Sequence, residues 1–440
     1  MTRLRIAATL ATLVACDRGG QAPAEAASAP PTAPAPPRPA PYLHAPGPAY
    51  LGIDGTGLVR LEDGQLTTLV AHRYPVRSIV VDAEGAVYAA AIGGLWKVAG
   101  ETIEHLDTED TALLARLALG PDGVLWATDH RGVFRWDGGW TVEPPATFDG
   151  ELVDDLAVDR AGHVWVTQRE ALWFLDGERW HRLDPAFAGT VEPFFSTIAA
   201  HPDGGVYVTS IRGTYRFRDG RWSDAGLSSR YGMLDELVIG PAGHVAGSGG
   251  VGTLTVQAPS GAIRTTELED GPARARRGDV LAVDGAGRTW LATDNGLVIF
   301  DRDGALAQQW LPGTVAGVTG KITALAVVGD GPALPPLGPP VTGTITGRVL
   351  RGGRPVAGAA VELCDQPLTV LQRTPCESST TTYRTTTGAD GRFRLAAVAV
   401  GSYGFAIKPG PRWIVMLATD CCTALGPGTT YDVGALTVAP

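Results

Sequence analysis

The 440-residue sequence predicts an all-β protein: a ring of short four-stranded sheets followed by a second, smaller β domain. Three observations predict it. A turn glycine recurs at Gly85, Gly123, Gly162, Gly204, Gly243 and Gly287, a spacing of roughly 40 residues, the length of one propeller blade. Five of the six turns open a β-rich run with an early aromatic, at Tyr88, Trp126, Trp165, Tyr207 and Trp290. An Asp-Gly pair recurs downstream, at Asp63-Gly64, Asp137-Gly138, Asp176-Gly177, Asp219-Gly220 and Asp303-Gly304. That pair suits a type I′ hairpin, whose two central residues both need positive φ. The predicted fold is a seven-bladed β-propeller followed by a β-sandwich.

The stretch from Val153 to Pro185 shows one complete unit. Leu156–Val158 is a first strand, and Asp159-Arg160-Ala161-Gly162 is a tight reversal in which glycine supplies the positive φ. Val164–Thr167, Leu172–Leu175 and Trp180–Leu183 follow as three more strands. One such unit cannot bury both sheet faces, so the units stack radially. Six are complete. A seventh is built from two ends, with Ala49–Val70 supplying three strands and Ile322–Val328 supplying the first. Closing the ring this way hides the edges an open array exposes. The aromatics are expected between blades. The fifth unit departs from the pattern, with Ala246 in place of the aromatic and a Gly-rich run from Gly247 to Gly252.

Over residues 49–331 the pattern of an apolar run, D-x-x-G-x-x-W-x-T and G-[LV]-x-x-x-D-G resembles the two-component-regulator propeller repeat. The resemblance implies the propeller fold. It also implies sensor ectodomains among many other uses, although the membrane helix and kinase of such a sensor have no counterpart in this sequence.

Ahead of the propeller, residues 1–15 read as an export signal, with Arg3 and Arg5 before an apolar core from Ile6 to Ala15. The segment is too short for a permanent membrane span. Leu13-Val14-Ala15-Cys16 resembles a bacterial lipobox, which implies that Cys16 becomes the lipidated first residue. Residues 16–48 are rich in Pro and Ala and read as a disordered, semi-rigid tether. The expected location is the cell envelope, on the periplasmic or outer-surface side of a bacterial membrane.

In a propeller, the loops joining strands b and c and those joining strand d to the next strand a share one face, where function usually sits. The b–c loops here carry His130 and Arg131, Arg169, Arg212, and Asp294 and Asn295. Arg131 and Arg212 occupy matching positions. With Arg274, Arg276 and Arg277 in the d–a loop before the last full blade, they predict a basic mouth for a carboxylate, phosphate or anionic glycan. The alternative is a solvated rim balanced by Glu267, Glu269 and Asp270.

Net charge is −10, which disfavours nonspecific nucleic-acid binding. The sequence has no G-x-S-x-G, H-E-x-x-H, P-loop or C-x-x-C. In blade number the chain resembles the streptogramin lyases, but a lyase needs acid and base groups converging on one face. His163 and His244 fall in a–b turns on the opposite face, leaving His130 well placed. The D-x-x-G turns lack the alternating oxygen ligands of a calcium loop. No cofactor or metal is expected.

Residues 332–342 read as a Pro/Gly linker. Beyond it, residues 343–440 carry G-x-V, P-V-x-G-A-x-V and D-G-x-F in order. This resembles the carboxypeptidase regulatory-like domain, an Ig/transthyretin-like β-sandwich. The resemblance implies a noncatalytic module, some relatives of which bind carbohydrate. Cys364, Cys376, Cys421 and Cys422 form an even set in an exported domain, which predicts disulfides. A bridge between adjacent Cys421 and Cys422 would be strained, so cross-pairs from Cys364 and Cys376 to them are expected.

The expected function is that of a noncatalytic, envelope-anchored binding or scaffolding protein. Its ligand is a protein, a peptide or a glycan. The alternatives are a lyase-type enzyme and a sensor component acting with a separate signalling chain.

Overall fold

The computed structural model of the chain describes residues 44–106, 114–129, 132–143, 145–148, 152–169, 171–177, 179–183, 194–229, 232–249, 252–268, 278–293, 296–310, 315, 318, 321–337, 342–364, 373–377, 379, 382–399, 403–416 and 428–438. Among the described residues there is one 3-10 turn, Pro145–Phe148, and no α-helix; the rest of the regular structure is strand.

Residues 49–327 form seven four-stranded sheets among the described residues. Six are consecutive meanders, with first strands Val76–Val81, Arg116–Leu119, Asp155–Val158, Phe195–Ala200, Glu236–Ile239 and Gly278–Val283; they are blades 1 to 6 below. In blade 7, Ile322–Val327 lies beside Ala49–Ile53, which continues to Gly57–Glu62 and Gln65–Ala71. The joining register sets Ala49 opposite Val327 and Leu51 opposite Leu325. The pairing extends outward: Val328 N–H donates to the Pro48 carbonyl and Asp330 N–H to that of Ala45, at 2.9 and 2.7 Å. Each blade's first strand contacts that of the next, and blade 7 returns to blade 1, so the ring closes. Residues 49–327 therefore form a β-propeller.

The repeat aromatics sit where blades meet. Trp165 of blade 3 packs with Ile198, Val206 and Phe217 of blade 4, and Trp290 of blade 6 packs with Leu51 and Ile322 of blade 7. Blade 7 fills the same second-strand position with Tyr50, against Val76 and Val87 of blade 1. Ala246 holds that position in blade 5, where Leu281, Val283 and Phe300 fill the interface from blade 6.

The turn aspartate explains part of the motif. Asp159 accepts backbone N–H bonds from Ala161 and His163 on one carboxylate oxygen, and with the other accepts the Trp165 indole N–H at 2.9 Å. Asp284, fully buried, repeats the arrangement with Arg288 and with the Trp290 indole at 3.0 Å. One side chain thus closes the turn and orients the aromatic that seals the next blade.

The hairpins follow the Asp-Gly rule at two sites. Asp63-Gly64 and Asp219-Gly220 are the central pairs, with φ of 49°, 72°, 50° and 71°. At Asp176, however, the strand runs one residue further: Asp176 pairs with Arg179, so the turn begins at Gly177. Asp137 and Asp303 sit instead in longer loops, because their partner strands resume only at Trp140 and Leu306.

Beyond residue 342, two further four-stranded sheets face each other. One contains Thr342–Arg351 between Arg354–Pro355 and Arg392–Ala399, with Thr430–Val438 paired parallel to Thr342–Arg351; the other is ordered Thr382–Thr386, Ala360–Cys364, Gly404–Lys408, Ile414–Met416. Their shared core includes Ile345, Val349 and Leu395 from one and Val361, Leu363 and Ile407 from the other.

The disulfide expectation is corrected here. Cys364 bonds Cys376, twelve residues on, with Cα atoms 5.8 Å apart, and not a residue of the 421–422 pair. Cys364 ends the strand Ala360–Cys364, and the chain returns past it at Cys376, beside Ala406. Cys421 and Cys422 lie outside the described residues, as does Cys16.

Candidate binding face of the propeller

The b–c loop face is built from strand ends. Register places Arg116 opposite Thr128, Asp155 opposite Thr167 and Glu236 opposite Ser248, so these three charges stand at the b–c end of the innermost strands. They meet across the ring. Arg116 of blade 2 donates from Nη1 and Nη2 to the two carboxylate oxygens of Glu236 of blade 5, at 2.9 and 2.6 Å. Its Nε faces Asp155 of blade 3 at 3.6 Å. Asp155 in turn accepts the Thr197 hydroxyl at 2.6 Å and the Ile198 N–H at 3.2 Å, both from blade 4. Four blades are tied at the channel mouth.

Arg116 keeps 36% of its side-chain exposure, whereas Glu236 and Asp155 keep 11% and 8%. The Asp155 carboxylate, then that of Glu236, raises the Arg116 pKa against the burial that opposes it. At the centre of this face, among the described residues, one guanidinium therefore stands between two carboxylates.

The rim between blades 3 and 4 is stitched through its backbone. Phe195 N–H donates to the Arg169 carbonyl at 3.0 Å, and Ile211 N–H to the Phe194 carbonyl at 3.3 Å. The exposed Arg169 guanidinium lies 4.8 Å from the centre of the Phe194 ring, in cation–π contact. Ile211 is 48% exposed, and the neighbouring Arg212 is exposed with its N–H bonded to the Ser210 hydroxyl at 3.1 Å. Arg169 and Arg212 thus flank one apolar step. His130, Arg131, Asp294 and Asn295 lie outside the described residues, as do Arg274, Arg276 and Arg277.

Sequence reasoning missed Arg116, Asp155, Glu236 and Phe194. It also missed an aromatic file at the edge of blade 1: His72 packs at a tilt against Tyr74 and Trp96, with centroids 5.6 and 4.6 Å apart, and Trp96 against His105 at 5.0 Å. The exposed Tyr74, Trp96 and the two histidines were legible as aromatic residues, but their meeting required the blade.

On the opposite face, His163 bonds Asp159 at 3.0 Å, which raises its pKa against burial. Burial lowers the pKa of His201, outweighing its neighbour Asp203, and burial lowers that of His244. The paired Asp159 keeps a low carboxyl pKa: burial opposes this, and the bonds from His163 and Trp165 outweigh it. Among the described residues no three His, Cys, Asp or Glu side chains are grouped as metal ligands.

No protein-family model matches the chain, and no curated protein matches it. Solved structures similar to it include a virginiamycin B lyase from Staphylococcus aureus, with 14% identity, a TM-score of 0.45, and coverage of 54% of this chain and 84% of that one. A streptogramin B lyase has 14% identity and a TM-score of 0.47, over 61% of this chain and 89% of that one. The extracellular domain of a putative hybrid two-component system from B. thetaiotaomicron has 11% identity and a TM-score of 0.43, over 88% of this chain and 68% of that one.

Proposed function

We propose that the chain is a noncatalytic binding protein of the bacterial cell envelope, lipid-anchored through Cys16, that docks a protein or peptide on the b–c face of its propeller. The observation that carries this reading is the rim built by Arg169, Phe194 and Ile211 beside a channel mouth bridged by Arg116. A rigid apolar step flanked by Arg169 and Arg212 suits a partner segment with an apolar side chain next to a carboxylate. The carboxylates at the centre are engaged with Arg116, Thr197 and backbone, so they hold the ring together and are not free to act as acid or base. In this reading, residues 343–440 are a carboxypeptidase regulatory-like spacer, and residues 16–48 lift the propeller from the membrane.

Thermal unfolding against a panel of peptides, anionic glycans and small carboxylates tests it, because a ligand that binds only the folded state raises the midpoint. A peptide-induced shift lost in Ile211→Asp and in Arg169→Ala supports the rim. A shift produced by a small carboxylate and unchanged in both variants defeats it. The anchor is tested separately, by the mass of the N-terminal peptide and by release of Cys16→Ala from the membrane fraction.

A further inference from the structure

A second face of the molecule carries a charge arrangement unrelated to the propeller rim. In the sheet containing Thr342–Arg351, the register places Arg348 directly opposite Arg392, with Arg394 opposite Thr346. Residues of like charge set directly opposite one another are destabilising in an antiparallel pair. Residues two apart on a strand share a face, about 6.8 Å apart, so Arg392 and Arg394 stand beside Arg348 on the surface away from the buried Ile345, Phe393 and Leu395.

All three arginines line one groove of about 630 Å³, together with Thr346, Thr385 and Asp432. Arg348 and Arg394 each make one side-chain hydrogen bond, and Arg392 one ion pair. Arg348 Nε donates to the Asp390 carbonyl at 2.8 Å, and Arg394 Nη2 to the Thr344 hydroxyl at 3.3 Å. Arg392 Nε stands 3.6 Å from the Asp390 carboxylate, an ion pair open to solvent, with both side chains more than half exposed. A guanidinium has five N–H donors, so each retains donors for a ligand. Three planar cations on two adjacent strands match three oxygens of a tetrahedral oxyanion better than the two of a carboxylate. Thr346 and Thr385 add hydroxyls. Asp432 spends one carboxylate oxygen on Gly434 N–H, at 3.0 Å. Its other oxygen leaves an acceptor for a hydroxyl of whatever carries the anion.

We infer that this groove binds a phosphate or sulfate ester on a hydroxylated carrier, the oxyanion lying between Arg348, Arg392 and Arg394. The ligand would relieve the repulsion between Arg348 and Arg392. This site is independent of the propeller reading and stands or falls without it.

Calorimetric titration of the full chain carrying Cys16→Ala, which removes the proposed lipid anchor, with inorganic phosphate and with glucose 6-phosphate, alongside flotation with phosphatidylglycerol and phosphatidylcholine vesicles, tests the site. The comparison variant is Arg392→Gln/Arg394→Gln, whose side chains are exposed and whose thermal midpoint is expected to equal or exceed that of the native protein. Binding of glucose 6-phosphate that weakens at least tenfold in the variant supports a sugar-ester ligand. Flotation with phosphatidylglycerol alone, lost in the variant, supports the same chemistry presented by a lipid headgroup. Binding unchanged in the variant, or no binding of any of the four probes, overturns the inference. A lower midpoint for the variant also overturns it, since the arginines would then be stabilising one another's surroundings without a ligand.

Discussion

Arg116 and Glu236 lie 120 positions apart in sequence and three blades apart in the ring, yet they form a two-pronged ion pair at 2.9 and 2.6 Å. The pair spans the channel mouth, and Asp155 flanks it. Removing the arginine leaves two buried carboxylates without their cation. Arg116→Ala is expected to cost about 2–3 kcal/mol, less than for a fully buried pair because the guanidinium is partly solvated. Urea unfolding measures it. Adding Glu236→Gln to Arg116→Ala should restore part of the loss, and strictly additive costs would contradict the bridge.

A second expectation concerns the turn aspartates. Asp284 has no exposed surface and holds both Arg288 and the Trp290 indole. Trp290→Phe keeps an aromatic ring but removes the indole N–H with its charge-assisted bond and leaves a gap at a fully buried site, at a cost of about 2–4 kcal/mol. Asp284→Ala leaves the Trp290 indole and the turn N–H without their acceptor and takes the carboxylate from Arg288, which keeps the Asp330 and Pro332 carbonyls; it should cost about 3 kcal/mol. Both are read from denaturant midpoints.

The histidines of the a–b face predict opposite responses to pH. His163 has a raised folded pKa because of its bond to Asp159. Its contribution is fully present below the unfolded value of about 6.5 and is lost as pH rises through the folded value. His244 and His201 have folded values lowered by burial. Their contribution is present above about 6.5 and is lost as pH falls through the folded values. His163→Asn should therefore destabilise more at about pH 5.5 than at about pH 8, whereas His244→Asn should make the protein less acid-sensitive. Urea midpoints at the two pH values decide both.

The disulfide gives a fourth. Peptide mapping of the nonreduced chain should recover Cys364 joined to Cys376. The bond closes a loop of 12 residues, so Cys364→Ala/Cys376→Ala is expected to cost about 3 kcal/mol, read on the unfolding of the domain that contains it.

Much of the ring was legible because its signals are local. The D-x-x-G turn and the aromatic after it lie within one hairpin, and their period counts the blades. Even Tyr50 falls into line once Ala49–Ile53 is assigned as a second strand. The mouth was not legible, because nothing near Arg116 in sequence points to Glu236; only closure of the ring brings them together. The cysteine pairing was misread for a related reason: avoiding a strained neighbour bridge says nothing about where Ala360–Cys364 ends relative to the returning chain. Arg392 and Arg394 are visible as an alternating pair, but their confrontation with Arg348 depends on strand register.

The clasp in blade 7 also sets how the molecule would carry mechanical load. The chain enters the ring at Ala49 and leaves it at Val327, and these two residues are direct partners. Tension between the two ends of the protein would thus enter and leave through a single sheet, with the other six outside the force path. Because both pulling points lie at the same end of the pair, the load peels backbone bonds one after another, beginning near His44 and Asp330, and does not shear them all at once. The propeller would yield at its seam first and open as a ring cut at one place, with its remaining blades still folded.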